Sequence, residues 1–233
     1  MIINSGRLCC LLLAASVLCL CTKPSPNNVG NGEGPTVTDI NGNVYHSVII
    51  GTQVWMVENL KTTRYDDSSA IPLGTDNTAW MNLTSAAYCW YLNDSSTYKN
   101  PYGALYNWYA VNTGKLAPVG WHVPSDSEWS VLVAFAGGDT SAGGVLKEAG
   151  NTHWASPNTG ATNNPYGFSA LPGGCRNLNG TFGNFGGGYW WSSTAYDANY
   201  SWTRFMFYYN ASVIRQYSNR VYGFSVRCIR DNW

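Results

Sequence analysis

The order of segments predicts an α+β domain, and three observations carry that prediction. Short aromatic and β-branched runs lie at both ends of the folded part, two helical segments lie between them, and long Gly- and Asn-rich stretches join them. Over 233 residues the charged fraction is only 11% and the aromatic fraction 15%, with 25 glycines and 11 tryptophans, which excludes a disordered chain or a coiled coil. Thirteen basic residues balance thirteen acidic ones without any Lys/Arg run, which argues against nucleic acid as a partner.

Residues 1–20 carry Arg7 and then the apolar run Leu8 to Leu20 with no acidic residue, an export signal too short for a comfortable permanent span. Residues 21–38 alternate Pro, Asn and Gly without apolar periodicity and read as a flexible linker. The folded domain is expected over 39–231. Asn41-Gly42 is a hairpin turn signal leading into the strand Val44–Ile50, and Gly51–Val57 returns as a second strand. Residues 59–77 read as loop, Ala86–Tyr91 as a strand, and Gly103–Asn112 as a helix, because Leu105, Trp108 and Tyr109 fall at helical spacing before Gly114.

The best-defined element follows Gly120-Trp-His-Val-Pro-Ser-Asp-Ser-Glu-Trp129. Ser125 and Glu128 have the spacing of a capping box, and Pro124 forbids helix upstream. Trp129, Leu132, Val133 and Ala136 form one apolar face, and Gly137-Gly138 is the stop, so a helix is predicted over Asp126–Ala136. Capping accounts for Ser125, Asp126 and Glu128 without a catalytic role. Ala142–Ala149 reads as a further turn or two of helix, and residues 151–166 as loop. The last third is a series of strands, expected to supply most of the sheet. In its final segment Phe224, Val226 and Cys228 share one face and Ser225, Arg227 and Ile229 the other.

Cys21 closes the apolar run and is followed by Thr22-Lys-Pro-Ser-Pro26, which resembles a bacterial lipoprotein, whose first mature residue is an acylated cysteine. Leu18 suits that pattern, whereas Leu20 departs from its small residue, so Cys19 stays open as the alternative acceptor. The resemblance implies a chain exported to the bacterial cell envelope and held there by lipid, at the outer membrane on its periplasmic or outer face.

Seven ordered motifs carry a second resemblance: Gly51-Thr-Gln-Val-Trp-Met-Val-Glu-Asn-Leu60, Ala87-Tyr-Cys-Trp-Tyr91, the segment Tyr102–Val111, the segment Gly120–Trp129, Leu171-Pro-Gly-Gly174, Tyr189-Trp-Trp-Ser-Ser-Thr194 and Gly223-Phe-Ser-Val-Arg-Cys228. Together they resemble the Fibrobacter succinogenes major paralogous domain, a family of exported bacterial proteins, often lipoproteins. Ala117 stands where members commonly have a cysteine, and Cys175 where they often have an aromatic residue. More distantly, Val123–Trp129, Pro172-Gly-Gly174 and Gly223–Cys228 are similar to segments of the formylglycine-generating enzyme family. That likeness implies a C-type-lectin-like α+β core with two short helices, antiparallel strands and long loops. It does not carry activity across, because fold is not function.

The copper chemistry of that enzyme family needs two cysteines close together near the C-terminus, whereas Cys175 and Cys228 are far apart. For Cys89, Cys175 and Cys228 in an oxidising compartment the expectation is one disulfide of unknown pairing and one buried thiol. His46, His122 and His153 show no metal-ligand spacing, no hydrolase elbow or nucleotide motif occurs, and the carboxylates are scattered. No metal and no cofactor is expected. Asn93-Asp94 and Asp197–Asn199 are oxygen-rich loop positions suited at most to weak calcium binding.

The aromatic surplus remains. Trp154, Trp190, Trp191 and Tyr196 lie in or beside long loops, where rings that miss the core would form a platform for a sugar face or a partner protein. For each ring the alternative is core. The expectation is a noncatalytic glycan- or protein-binding envelope module. The competing classes are an enzyme on a formylglycine-generating-enzyme-like scaffold with an unrecognised site, and a purely structural surface protein.

Overall fold

The computed structural model describes residues 30–231 together with Met1, so Cys21, Cys19 and the export run lie outside the described residues. The chain starts as β1 (Gly30–Glu33), β2 (Val37–Thr38), β3 (Val44–Tyr45), β4 (Ser47–Gly51) and β5 (Gln53–Met56). β2 and β3 pair around the Asn41-Gly42 turn, where Gly42 takes a φ of +81°. Asp39 holds that turn by accepting from the backbone N–H groups of Asn41 and Asn43 and from the Tyr45 hydroxyl. β4 and β5 form the predicted antiparallel hairpin.

The linker boundary needs correction. β1 pairs antiparallel with β4, Gly30 opposite Gly51 and Glu33 opposite Val48, so part of the stretch read as linker belongs to the sheet. Main-chain pairing needs no side chain, and a Gly/Asn strand therefore leaves no apolar period to read.

Next come α1 (Asn77–Met81), β6 (Tyr88–Cys89), α2 (Ser95–Tyr102), β7 (Leu105–Tyr106) and α3 (Trp108–Val111). The helix expected over 103–112 is thus a two-residue strand followed by a single helical turn. Gly103, at φ +76°, breaks the chain direction, and the Asn107 side chain starts the turn late by capping the Ala110 N–H. The helices at 77–81 and 95–102 were not anticipated. Both are capped by an aspartate, Asp76 and Asp94, within polar runs that carry no amphipathic signal.

After β8 (Trp121–His122), α4 (Asp126–Phe135) and α5 (Ala142–Leu146) fall where the sequence places them. The capping box is present. Ser125 Oγ accepts from the Glu128 N–H at 3.2 Å, and Glu128 Oε2 accepts from the Ser125 N–H at 2.7 Å. Gly137 and Gly138, at φ +103° and +86°, end the helix.

The remaining strands are β9 (Cys175–Arg176), β10 (Phe182–Gly183), β11 (Gly187–Ala195), β12 (Tyr200–Phe207), β13 (Ile214–Asn219) and β14 (Ile229–Arg230). The largest sheet runs β1-β4-β5-β14-β8, and β11-β12-β13 form a second. The last sixty residues supply more than half of the strand residues, as expected: they form the long strands β11, β12 and β13 and insert β14 into the five-stranded sheet, whose other strands are short and come from earlier in the chain. The architecture is a mixed α+β fold with antiparallel sheets and a few short helices. Among the described residues no helix is long and apolar enough to cross a membrane.

Three segments separate two aromatic cores. In β5, Val54 and Met56 face one core and Trp55 the other. In β11, Tyr189 and Trp191 face the first and Trp190 the second. In the final segment, Phe224, Val226 and Cys228 face the first and Ile229 the second. Trp129, Leu132, Val133 and Ala136 of the α4 stripe all enter the second core. A smaller cluster gathers Trp80, Ala87, Cys89, Tyr91 and Leu105.

Candidate functional site

The four loop aromatics separate cleanly. Trp154, Trp190 and Trp191 are buried, which removes them as a ligand platform. Each spends its indole N–H inside the protein: Trp154 on the Ala170 carbonyl, Trp190 on Asn59 Oδ1 and Trp191 on the Tyr106 carbonyl, at 2.7–2.8 Å. Trp190 and Trp191 miss the surface because β11 has both faces covered, so consecutive rings enter opposite cores. Tyr196 alone is exposed, at 47%.

Around Tyr196 the structure gathers rings that the sequence reading passed over. Tyr196 stacks on Tyr217 with centroids 4.2 Å apart and planes 3° from parallel, and Trp202 meets Tyr196 edge-on at 5.0 Å. Tyr200 stands 5.6 Å from Tyr217, nearly perpendicular to it. Strand register explains the gathering: Trp202 lies directly opposite Tyr217, and Tyr196 and Tyr200 flank the turn that joins β11 to β12. That turn is braced twice. Asp197 Oδ1 accepts from the Asn199 and Tyr200 N–H groups, and Arg220 donates to the Asp197 carbonyl.

Beside β12 and β13 lies a cavity of about 340 Å³ whose lining includes Cys175, Asn177, Asn184, Tyr189, Phe205, Gln216, Tyr217 and Tyr222; strand alternation puts the Phe205 and Gln216 side chains on the face of the sheet opposite Trp202 and Tyr217. Its volume lies within the range of small-ligand sites, roughly 300–1,000 Å³. Two other cavities are smaller, about 190 Å³ beside Ile40, Arg64 and Val119 and about 220 Å³ beside His122 and Ser193. The larger one also has the more suitable lining, with several amides and tyrosines around aromatic walls. One sequence signal points to it: Tyr217 is a lone ring in the polar run Arg215-Gln-Tyr-Ser-Asn219, as an exposed aromatic on an edge strand would be.

The other candidate chemistry is occupied by structure. Glu128, besides closing the cap, lies 2.9 Å from His122 Nε2, and His122 Nδ1 lies 2.5 Å from Asp231. The Glu128 hydrogen bond and then that of Asp231 raise the His122 pKa against its partial burial. Burial pushes Glu128 up, but His122 and the Ser125 N–H and hydroxyl outweigh it and hold the carboxyl down at about 2. With both ring nitrogens engaged by carboxylates, His122 has no lone pair directed at a nucleophile.

Cys89, Cys175 and Cys228 are all free and buried, so the expected disulfide is absent among the described residues. Cys89 belongs to the small cluster beside α1, whereas Cys175 and Cys228 pack in the first core, and the fold brings no pair into a bond. Burial pushes the Cys89 thiol up to about 12 and the Cys175 thiol to about 11, which keeps both protonated and unreactive. The two oxygen-rich loop positions are also committed. Asp94 caps α2 through Ser96 and Thr97, and Asp197 holds its own turn.

Among the described residues, three cations are buried without a carboxylate partner. Lys147 Nζ donates to the Thr159, Phe207 and Asn210 carbonyls and sits 5.3 Å from the Trp154 ring centroid. Arg176 donates to the Gly74, Thr75, Asp76 and Gly180 carbonyls between Trp80 and Phe182. Arg227 binds Asn59 and the Phe168 and Ser169 carbonyls over the Phe168 ring. These cations satisfy loop carbonyls and hold the long loops to the cores, a structural duty with no open face for a ligand.

The family model described as Fibrobacter succinogenes major domain matches residues 48–230. No curated protein and no solved structure matches the chain.

Proposed function

This chain belongs to the Fibrobacter succinogenes major domain family, and from that premise and the exposed ring ladder we propose a noncatalytic envelope module that binds a glycan. The observation that carries the reading is the cavity beside β12 and β13, lined by tyrosines, phenylalanines and neutral amides. Sugars present apolar C–H faces and rings of hydroxyls, which aromatic rings and amides match. The noncatalytic part is supported by the state of the reactive groups: His122 is held between two carboxylates and the thiols are buried. Export and acylation at Cys21 are part of the same proposal, resting on the apolar run and the cysteine that closes it. The C-type-lectin-like reading of the fold is supported by β14 lying between β5 and β8, which puts both ends of the domain in one sheet.

The full chain in detergent, applied to a glycan array with and without EDTA, tests the function. Binding that survives EDTA and is lost in Tyr217→Ala is the expected result. Binding abolished by EDTA contradicts the metal-free site. Retention of a protein partner with no glycan signal replaces the proposal with a protein-binding module.

A further inference from the structure

We infer that β13 is a self-association edge: two copies of this chain pair antiparallel through it, about a two-fold axis at Gln216, so that β11-β12-β13 continues into the same sheet of the second copy. Such a pairing needs no glycan in the cavity.

β13 is the outer strand of its sheet, and Arg215, Gln216 and Tyr217 are all exposed. The Arg220 N–H donates to the Asn199 carbonyl, so the mutually bonded pairs that follow in register are Ser201 with Ser218, Thr203 with Gln216 and Phe205 with Ile214. The N–H and C=O groups of Arg215 and Tyr217 therefore point away from β12, toward water. An open edge of this kind is a template for another strand, and proteins commonly guard it with proline, lysine or a bulge. Ile214-Arg-Gln-Tyr-Ser-Asn219 has no proline or lysine and runs beside β12 in unbroken register. Its one charge, Arg215, is turned onto the Trp202 ring at 3.5 Å and held by both Asp126 oxygens.

Register and charge select a second copy as the occupant. Placing Arg215 of one copy opposite Tyr217 of the other gives every outward N–H and C=O of these two residues a partner. It also sets a guanidinium beside a tyrosine ring on each side of the axis, with no like charges directly opposite. Centring the pair on Arg215 would oppose two guanidinium groups. Centring it on Tyr217 would call on Asn219, whose carbonyl already accepts from the Tyr222 N–H. The edge is thus complementary to itself in one register, which is what a two-fold interface requires. At the axis Gln216 meets Gln216 of the second copy, where each amide offers both a donor and an acceptor. The axis crosses the sheet from face to face, so the cavities of both copies lie on the same side of the joined sheet.

Disulfide trapping in the full chain tests the axis. Opposed Cα atoms at a non-hydrogen-bonded antiparallel pair stand about 4.5 Å apart, within reach of a disulfide. Gln216→Cys in detergent should therefore cross-link to a dimer under a mild oxidant. Ala198→Cys, also exposed but in the turn between β11 and β12, should show only the wild-type background on a non-reducing gel. Sedimentation of Gln216→Lys and Gln216→Glu supplies a second measurement, with changes at an exposed side chain that spare the cores. Each alone should self-associate at least about tenfold more weakly than wild type, and an equimolar mixture should recover association. No cross-link at position 216, equal trapping at position 198, or a mixture that associates no better than Gln216→Lys alone overturns the two-fold edge.

Discussion

At the scale of single residues, Glu128 serves two structures at once: it closes the α4 capping box and accepts from His122, which also reaches Asp231 close to the C-terminus. The raised His122 contributes stability that is fully present below its unfolded pKa, near 6.5, and is lost as pH rises through its higher folded value. The lowered Glu128 contributes stability present above its unfolded value near 4.5 and lost as pH falls toward about 2. The pair is therefore strongest between about pH 4.5 and 6.5. Melting curves from that range upward to alkaline pH should show His122→Gln removing a decline of wild-type stability above about pH 6.5; parallel profiles in the two proteins would dismiss the clasp. Ser125→Ala should cost about 0.5–2 kcal/mol through the lost cap, and Trp129→Ala about 3–5 kcal/mol by emptying a ring-sized volume in the second core. Urea titration measures both, and an order reversed between them would contradict the packing described for α4.

At the scale of elements, Asp126 ties α4 to the β11-β12-β13 sheet. Arg204 and Arg215 lie directly opposite each other on β12 and β13, a like-charge pair that would repel, and Asp126 sits between them at 2.8 Å from each. Burial lowers the Arg204 pKa and the Asp126 carboxylate opposes that, so the ion pair is what lets the guanidinium stay inside. Asp126→Ala should destabilise the protein by about 3 kcal/mol, the low end for a broken buried pair, because Arg204 keeps the residue-126 carbonyl and the Ser130 hydroxyl. Asp126→Asn should fall between that variant and wild type. A loss below about 1 kcal/mol in Asp126→Ala would show that the clamp contributes little. The segment from Gly120 to Trp129 thus sets a cap, a core position and a sheet contact within a few residues.

At the scale of the whole molecule, the two aromatic cores share the strands between them, and the long loops are held by Lys147, Arg176 and Arg227 through main-chain carbonyls. Because β1 begins at Gly30, the chain between Cys21 and the domain spans at most about 30 Å, at roughly 3.3 Å per residue. An acyl group at Cys21 would keep the domain close to the lipid surface, with more than one chain needed for stable anchoring. Cys21→Ser expressed in the native host should move the protein from the membrane to the soluble fraction on ultracentrifugation. Retention of the variant would assign the anchor to Cys19 or to the uncleaved apolar run.

The sequence by itself determined the elements whose signals are local. The Asn41-Gly42 turn, the β4–β5 hairpin, the Ser125–Glu128 capping box and the apolar stripe of α4 each depend on residues within a few positions of one another. The seven ordered motifs likewise identified the family. Only the tertiary structure decided which aromatic rings reach water. Trp190 and Trp191 are core because strands distant in sequence cover both faces of β11, whereas Tyr196, Tyr200 and Tyr217 are exposed because they gather at a hairpin end and an edge strand. It also decided that β1 joins a sheet, that the three described cysteines remain thiols, and that Lys147, Arg176 and Arg227 are inside. Each of these depends on partners tens of residues away, and a ring, a thiol or a cation has the same local sequence signal whether such partners meet it or not.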